Sequence, residues 1–263
     1  METNLNHKDV VRAQYKNADN LNTRISIHHK YSTNKMGFGN WIVSNYDIRP
    51  QSKILELGCG TGDMWKSNLD VINHDSELFL TDFSEGMLAT AGALLGQRHN
   101  VTYQVVNIEN IPFEDNSFDV VIANMMLYHV PDLNRGLAEV KRVIKTGGRF
   151  YCATYGENGI IPYIVSLLEE DGVIDDTNKS FTLQNGSDIL SNYFEDVCIM
   201  NYEDSLAVTD IEDMIDYIYS FPNITNIASI KRELLKSILE NKMVNGVLHI
   251  PKEYGMFLCV NNE

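Results

Sequence analysis

The chain has 263 residues, of which 44% are apolar and 22% charged, a length and composition typical of a globular protein with a well-buried core. Its 36 acidic and 21 basic side chains give a net charge of −15, which would repel a phosphate backbone and disfavours a nucleic-acid partner. Because no run of 18 apolar residues is present and the first residues lack the pattern of a secretory signal, we expect a cytoplasmic protein outside the membrane.

The first half of the chain has the pattern of helices followed by alternating strands and helices. Residues 7–47 read as two or three helices and are predicted to form a helical cap over residues 1–48. Five runs rich in Val, Ile, Leu and Phe then predict strands: KILELG, ELFLTD, VTYQVVNI, SFDVVIAN and GGRFYCAT. Segments with helical spacing, such as 87–95 and 133–144, separate these runs. The alternation predicts an α/β fold with a doubly wound parallel sheet that binds ligands at the carboxyl ends of its strands.

The second half, residues 156–263, is predicted to contain helices that interrupt the strand pattern. Two helices are expected between residues 160 and 194, the first from Pro162 to near Gly172, and the strand EDVCIMNYE follows. A helix from Asp210 to Pro222 and another through IASIKRELLKSILENKM precede a last strand, GMFLCV. Because helical pairs inserted before a final strand are typically lids, we predict that residues 209–244 wall the substrate side of a single domain, 1–263, with its core at 50–155.

The stretch ILELGCGTGD, at the end of the first predicted strand, does not fit a phosphate-binding dinucleotide loop. That loop needs the spacing G-x-G-x-x-G, and the residue three beyond Gly60 is Asp63 instead of a glycine. Glu56 and Asp63 would place carboxylates on both sides of the loop, where a diphosphate is repelled and a cation is attracted. The loop is therefore predicted to hold a ligand with positive charge and no phosphate.

Asp82 ends the second predicted strand, LFLTDFS, 20 residues after Gly62. From this position an acidic side chain accepts hydrogen bonds from both hydroxyls of a ribose. A nucleoside with positive charge and no phosphate describes S-adenosylmethionine. We therefore expect S-adenosylmethionine as the cofactor and S-adenosylhomocysteine as its product.

Four ordered motifs resemble those of the class I S-adenosylmethionine-dependent methyltransferases, in the group that includes the quinone-methylating enzymes. LELGCGTG is similar to the first motif, TDFSEGML to the second, and NIENIPFEDNSFDVVIANMMLYHVPD to the third and fourth. EVKRVIKTGGRFY is similar to the helix and turn before strand five, so the resemblance spans about residues 31–155. It implies a Rossmann-like sheet of seven strands, mostly parallel with the last strand antiparallel.

The resemblance also implies which residues contact the cofactor. Glu56 would line the methionine end, Asp82 would hold the ribose, and Asn107 stands where relatives have an Asp that accepts from the adenine amino group. The backbone at Ala123 and Asn124 would approach the methionine. The full set of predicted cofactor residues is Glu56, Gly58, Cys59, Gly60, Asp82, Phe83, Met87, Asn107, Ile108, Asn124 and Met125.

The methyl acceptor is predicted to be a small organic molecule, methylated on oxygen, with carbon or nitrogen as alternatives. Candidate acceptor contacts are His28, Tyr31, Tyr128 and Tyr155, and His129 in LYHVPD is the candidate general base. A base is needed only for an acidic acceptor such as a phenol, because displacement at a sulfonium depends mainly on alignment and desolvation. A structural hydrogen bond at the turn is the alternative role for His129.

Two other functions and the oligomeric state stay open. A nicotinamide-dependent oxidoreductase would use a similar sheet, but the glycine spacing and Glu56 oppose it. A non-catalytic module that binds S-adenosylmethionine would show binding without turnover. A monomer and a dimer both fit the sequence.

The four cysteines lie far apart and form no C-x-x-C pair. Three of them sit in apolar, strand-like runs. We therefore predict buried, reduced thiols and no metal site, with a composite metal or arsenic site as the alternative.

Overall fold

The computed structural model describes residues 18–221 and 224–262, and residues 18–22 by their backbone alone. The part of the helix prediction that falls on residues 7–17 lies outside this range. The chain divides into two compact units, which we call the helical unit and the sheet unit. The helical unit comprises Met1–Gly37, Gly156–Lys179 and Tyr202–Tyr254, and the sheet unit comprises Phe38–Tyr155, Ser180–Asn201 and Gly255–Glu263.

The sheet unit is built on a seven-stranded sheet. The order of its strands is β3 (Val101–Val105), β2 (Glu77–Asp82), β1 (Lys53–Leu57), β4 (Phe118–Ile122), β5 (Ile144–Tyr155), β11 (Tyr254–Val260) and β7 (Asp196–Tyr202). β1 pairs in parallel with β2 and β4, β2 with β3, and β4 with β5. The sheet is mostly parallel with one antiparallel strand, so the predicted fold class is confirmed. The strands of the described residues are β1 (Lys53–Leu57), β2 (Glu77–Asp82), β3 (Val101–Val105), β4 (Phe118–Ile122), β5 (Ile144–Tyr155), β6 (Ile174–Asp175), β7 (Asp196–Tyr202), β8 (Ser205–Val208), β9 (Ile224–Thr225), β10 (Leu248–Pro251) and β11 (Tyr254–Val260).

Two helices of the sheet unit begin at capping side chains. The Ser84 side chain accepts from Met87 N at the start of α3 (Glu85–Leu95), and the Asp132 side chain accepts from Arg135 N at the start of α4 (Leu133–Val143). Each contact satisfies a backbone N–H that has no partner within its helix. The helices are α1 (Ala18–Tyr31), α2 (Phe38–Ser44), α3 (Glu85–Leu95), α4 (Leu133–Val143), α5 (Ile160–Ser166), α6 (Gly186–Leu190), α7 (Ile211–Tyr219) and α8 (Arg232–Glu240).

The core of the sheet unit lies on both faces of the sheet. Successive side chains of β1 alternate, with Leu55 in one buried cluster and Ile54 in another. This double burial explains the continuous apolar runs of the strands. In the sheet, β2 lies beside β1 and β5 lies beside β4 on the opposite side, so the chain order reverses between β1 and β4. The carboxyl ends of β1 and β4 therefore form the crevice where such sheets bind ligands.

The connection between β1 and β2 differs from the predicted strand–helix alternation. It contains two short 3₁₀ turns, Asp63–Trp65 and Leu69–Val71, in place of an α-helix. The Asn68 side chain donates to Met64 O at 2.7 Å, and Asn and Asp side chains favour such local bonds over a continuous helix. The glycine loop is therefore followed by a tight turn.

The helical unit has its own apolar core, which includes residues of α1, α5, α7 and α8. β8 pairs antiparallel with β10, β6 pairs antiparallel with β9, and none of these four strands was expected. The predicted helix from Pro162 to Gly172 begins at Ile160 and ends at Ser166, with a 3₁₀ turn at Glu169–Asp171. The last predicted helix begins only at Arg232, after a 3₁₀ turn at Ile227–Ser229.

The cysteine prediction is only partly right. Cys152 and Cys259 are buried, whereas Cys59 is half-buried and Cys198 is exposed. Cys198 lies in β7, which occupies an edge of the sheet. Among the described helices, none has the length and apolar character needed to cross a membrane.

Candidate functional site

The glycine loop after β1 has backbone angles that glycine adopts most easily. Gly60 has φ +57° and Gly62 has φ +76°. A Cβ at Gly62 would lie 3.0 Å from Leu95 Cδ1, so this glycine also lets the loop pack closely against α3. A Cβ at Gly60 would meet no described atom within 4 Å. The loop is thus packed at Gly62 and leaves space beside Gly60.

Glu56, next to last in β1, is a buried carboxylate with one hydrogen-bond donor among the described residues. Its side chain is 3% exposed, and Trp65 Nε1 donates to its Oε2 at 2.5 Å. Burial raises the pKa of Glu56 to about 7, the Trp65 hydrogen bond opposes this rise, and the charge of Asp82 adds to it. Within the described part of the chain, no group donates to Oε1, so this oxygen is the one that a cationic ligand would meet.

Asp82, at the end of β2, binds the backbone of two loops. Its Oδ2 accepts from Gly60 N at 3.0 Å, and its Oδ1 accepts from Ser84 N at 2.8 Å. Burial raises its pKa, and these backbone hydrogen bonds oppose the rise. Each carboxylate oxygen has a second lone pair, so the side chain keeps acceptor capacity for a ligand hydroxyl.

Three further predicted contacts lie near these carboxylates in the sequence. Phe83 is 38% exposed, and Met87 is partly buried in the first turn of α3. Burial, followed by the charges of Glu56 and Asp82, raises the pKa of the Cys59 thiol well above its usual range. Cys59 is therefore a neutral thiol at physiological pH, with no nucleophilic role.

Asn107 and Ile108 follow β3 in a tight turn. Asn107 Oδ1 accepts from Glu109 N at 3.0 Å, and the Glu109 carboxylate in turn accepts from Asp132 N at 2.9 Å. The Ile108 side chain is 6% exposed and packs against Gly136 of α4. The Ile108 side chain thus belongs to the core, and Asn107 already has one local hydrogen bond.

Asn124 and Met125 follow β4. Asn124 Nδ2 donates to Tyr46 Oη at 2.7 Å, and its Oδ1 accepts from Ala153 N at 3.2 Å. Met125 has φ +53° and donates from its backbone N to Ala153 O at 2.8 Å. The Asn124 side chain therefore fixes the strand end, and the predicted contact through its backbone stays a prediction.

The structure brings three aromatic candidates of the sheet unit together. The Tyr128 ring lies 4.5 Å from the His129 ring and 4.6 Å from the Tyr155 ring, measured between centroids. Burial lowers the pKa of His129 to about 4, so the ring is neutral and weakly basic at physiological pH. This environment favours the structural role for His129 over that of a general base.

The other two candidates, His28 and Tyr31, belong to α1 in the helical unit. His28 Nδ1 is buried and has no hydrogen-bond partner among the described residues. Its ring lies edge-on to Tyr217 and Tyr254, with centroids 6.1 and 6.3 Å away. Tyr31 Oη donates to Asp213 Oδ2 at 2.5 Å, so its hydroxyl is already engaged within the helical unit.

Sequence reasoning missed Trp65 and Tyr46. Trp65 is fully buried beside Glu56, and the Tyr46 ring lies 6.4 Å from the Trp65 ring. A signal for Trp65 was present, because a buried indole N–H needs an acceptor and Glu56 lies nine residues earlier. Tyr46 carries no comparable signal, since its partner Asn124 is 78 residues away.

Residues 55–152 match the family model described as a methyltransferase domain. Among curated relatives, the demethylmenaquinone methyltransferase of Staphylococcus saprophyticus is 34% identical over 134 residues, which are 51% of this chain and 55% of that protein. The chain thus spans about half the length of the curated relatives that it matches.

Two solved structures illustrate the similarity of fold. Phosphoethanolamine N-methyltransferase 2 of Haemonchus contortus, solved with phosphomonomethylethanolamine and S-adenosylhomocysteine, gives a TM-score of 0.60 at 17% identity over 98% of this chain and 60% of that one. The [4+2]-cyclase SpnF gives a TM-score of 0.53 at 14% identity over 86% of this chain and 81% of that one. At these identities the likeness shows the fold alone, and one fold supports different reactions.

Proposed function

We propose that this chain, whose residues 55–152 form a methyltransferase domain of the class I S-adenosylmethionine-dependent type, transfers a methyl group from S-adenosylmethionine to a small organic acceptor. The observation that carries the proposal is the pair of carboxylates, Glu56 and Asp82, at the carboxyl ends of the neighbouring strands β1 and β2. The pair would repel a diphosphate and attract a cofactor that carries an ammonium and a sulfonium.

The residues present fit this cofactor. Glu56 Oε1 would accept from the ammonium group, and the free lone pairs of Asp82 would accept from the ribose hydroxyls. The space beside Gly60 lets the ligand approach the backbone of the loop. The remaining proposed contacts are Gly58, Cys59, Phe83, Met87, Asn107, Ile108, Asn124 and Met125.

When bound, S-adenosylmethionine supplies a methyl group on a sulfonium whose leaving group is neutral. The chain's own contribution is then to align the acceptor with that methyl group and to exclude water, which needs no catalytic nucleophile. A proton must be removed only from an acidic acceptor. His129 is the residue predicted from the sequence for that step, but its low pKa makes it a weak base, and we propose a structural role for it instead.

The proposed acceptor is a small molecule methylated on oxygen, with carbon or nitrogen next. The name of the curated relatives, demethylmenaquinone methyltransferase, adds a quinone as a specific acceptor to test. Tyr128 and Tyr155 are proposed as aromatic contacts, and the acceptor roles predicted for His28 and Tyr31 stay predictions. The acceptor role predicted for residues 209–244 stays a prediction.

The experiment that tests the proposal uses the purified full-length chain. Calorimetry with S-adenosylmethionine, S-adenosylhomocysteine and NAD should show binding of the first two and no binding of NAD. Incubation with methyl-labelled S-adenosylmethionine and a panel of phenols, quinols and amines should give S-adenosylhomocysteine and a labelled product in mass spectra. Tight NAD binding without any response to S-adenosylmethionine would refute the proposal.

A second candidate function is binding of S-adenosylmethionine without catalysis. The SpnF cyclase has a similar fold and a name that describes a reaction other than methyl transfer, so the fold alone does not establish methyl transfer and this candidate stays open. It predicts tight binding and no labelled product with any acceptor in the panel. The same two measurements therefore separate the two functions.

A further inference from the structure

We propose that Trp65 is a positioning residue for cofactor binding and that it acts through Glu56. Its indole N–H holds the Glu56 carboxylate in the orientation and charge state that receive the ammonium group of S-adenosylmethionine. The inference rests on the proposed function, and it concerns a residue that the four motifs do not include.

The first support is that the position of Trp65 is fixed by the loop. Gly62, in the left-handed region, begins the turn Asp63–Trp65, and Trp65 N donates to Gly62 O at 2.9 Å. The indole is fully buried, so its N–H needs a protein acceptor. That acceptor is Glu56 Oε2, and a hydrogen bond to a carboxylate is stronger than one to a neutral acceptor.

The second support is that the other groups around Glu56 do not stabilise its charge. Asp82 is a like charge, and it raises the pKa of Glu56. Glu56 in turn raises the pKa values of Tyr46 and Cys59, for both of which burial is the larger cause. Tyr46 Oη accepts from Asn124 instead of donating to Glu56. Among the described residues, Trp65 is thus the group that opposes desolvation of the carboxylate.

The third support is the division between the two carboxylate oxygens. Trp65 occupies Oε2, so the ligand would bind Oε1, and rotation of the carboxylate is prevented. Without the indole N–H, the carboxylate would be held only by packing and would take up a proton at higher pH. A protonated Glu56 no longer attracts an ammonium group.

The first experiment needs no ligand. The chain has two tryptophans, so W41F leaves Trp65 as the single tryptophan, whose emission is excited at wavelengths that tyrosine does not absorb. Its emission should titrate with a midpoint near pH 7, the pKa of Glu56, and the titration should vanish in W41F/E56Q. Identical titration curves for W41F and W41F/E56Q would overturn the inference and leave the proposed function untouched.

The second experiment is a double-mutant cycle on the affinity for S-adenosylmethionine at pH 7.5. W65F and E56Q should each weaken binding by about tenfold, the scale of a hydrogen bond to a charged group. Because Trp65 acts through Glu56, the double variant should bind no more weakly than E56Q alone. W41F is the matched control and should bind like the wild type.

If Trp65 had a merely structural role, the losses of affinity measured for W65F and E56Q would multiply in the double variant. This result would overturn the inference. If W65F does not fold, the tryptophan analogue with sulfur in place of the indole N–H, incorporated in the W41F background, changes a single atom. It should move the acidic limb of the binding-versus-pH curve to higher pH, and an unmoved limb overturns the inference. Failure of the wild type to bind S-adenosylmethionine at any pH instead refutes the proposed function together with this inference.

Discussion

Asp82 Oδ2 accepts a hydrogen bond from Gly60 N at 3.0 Å, and this bond joins the end of β2 to the glycine loop after β1. The same carboxylate binds Ser84 N, so one side chain orders both loops before any ligand arrives. A site prepared in this way loses less conformational entropy on binding.

The variant D82N tests the role of Asp82 in cofactor binding. The substitution removes the negative charge and keeps the size of the side chain. It also replaces one of the two side-chain oxygens that accept from backbone N–H groups. We expect affinity for S-adenosylmethionine to fall by about 1–3 kcal/mol, the scale of lost hydrogen bonds to a charged group. Calorimetry measures the loss, with D75N as the control because Asp75 is exposed and lies outside the proposed cofactor contacts. Unchanged affinity in folded D82N would contradict the ribose role.

Glu56 should make the stability of the ligand-free protein depend on pH. Its pKa is about 7 in the folded protein against a reference value of 4.5, so between these pH values the folded chain holds a proton that the unfolded chain has lost. The free energy of unfolding therefore falls as the pH rises from about 4.5 to 7. In E56Q, the decline in the free energy of unfolding over this pH range should be smaller by about 1–3 kcal/mol. Urea unfolding at several pH values measures the difference.

The difference between the wild type and E56Q isolates Glu56 from Asp82, whose pKa is also raised by burial. If the free energy of unfolding changed with pH in the same way in both proteins, the Glu56 carboxyl would have the same pKa in the folded and unfolded states. That result would contradict the prediction.

Two glycines, Gly62 in the loop after β1 and Gly92 in α3, should respond to alanine in opposite directions. G62A places a Cβ at φ +76° and 3.0 Å from Leu95 Cδ1, and it should lower the free energy of unfolding by about 1–3 kcal/mol. G92A lies within α3, where a Cβ meets no described atom within 4 Å, and it should raise stability by about 0.5–1 kcal/mol. Urea unfolding measures both. Equal effects would contradict the packing described for the loop.

The helical unit contains a buried ion pair between Lys252 and Asp204, with side chains 4% and 0% exposed. Lys252 Nζ also donates to Ser32 Oγ at 2.8 Å. K252M leaves the carboxylate buried and unpaired, so we expect a loss of about 3–5 kcal/mol in the free energy of unfolding. K252M/D204N should recover part of this loss. A double variant as unstable as the sum of the single variants would show that the charges are not coupled.

His129 should prove structural in steady-state kinetics. A general base typically contributes a factor of about 10²–10⁴, whereas a buried neutral ring is expected to affect kcat by less than about tenfold. H129Q keeps a hydrogen-bonding group of similar length and is compared with the wild type across pH, once an acceptor is found. A loss of more than about a hundredfold, with unchanged affinity for the cofactor, would assign the base role to His129.

The strands of the sheet were predictable because burial on both faces forces a continuous apolar run. Residues 53–58 and 117–124 have this pattern, and they contain β1 and β4. The position of Asp82 followed from the same reasoning, since a carboxylate at the end of a buried strand lies at the binding edge of the sheet.

Other elements depend on contacts that a local pattern does not reveal. β8 and β10 are four residues each, and they pair across about 40 residues of chain, so their runs SLAV and LHIP carry little strand signal. The absence of a helix after the glycine loop depends on local bonds of Asn68, and the position of Trp65 depends on that turn. The role of Asn124 depends on Tyr46, which the sequence does not connect to it.

The order of strands in the sheet also constrains synthesis of the chain. β11, at Tyr254–Val260, lies between β5 and β7, so a strand that is synthesised after both of its neighbours occupies an interior place. Until it emerges, β5 and β7 have no partner on their facing sides, and their exposed backbone groups are open to wrong pairing. The sheet is therefore completed only after Val260 has left the ribosome, and deletion of Tyr254–Val260 would separate β7 from the other strands of the sheet.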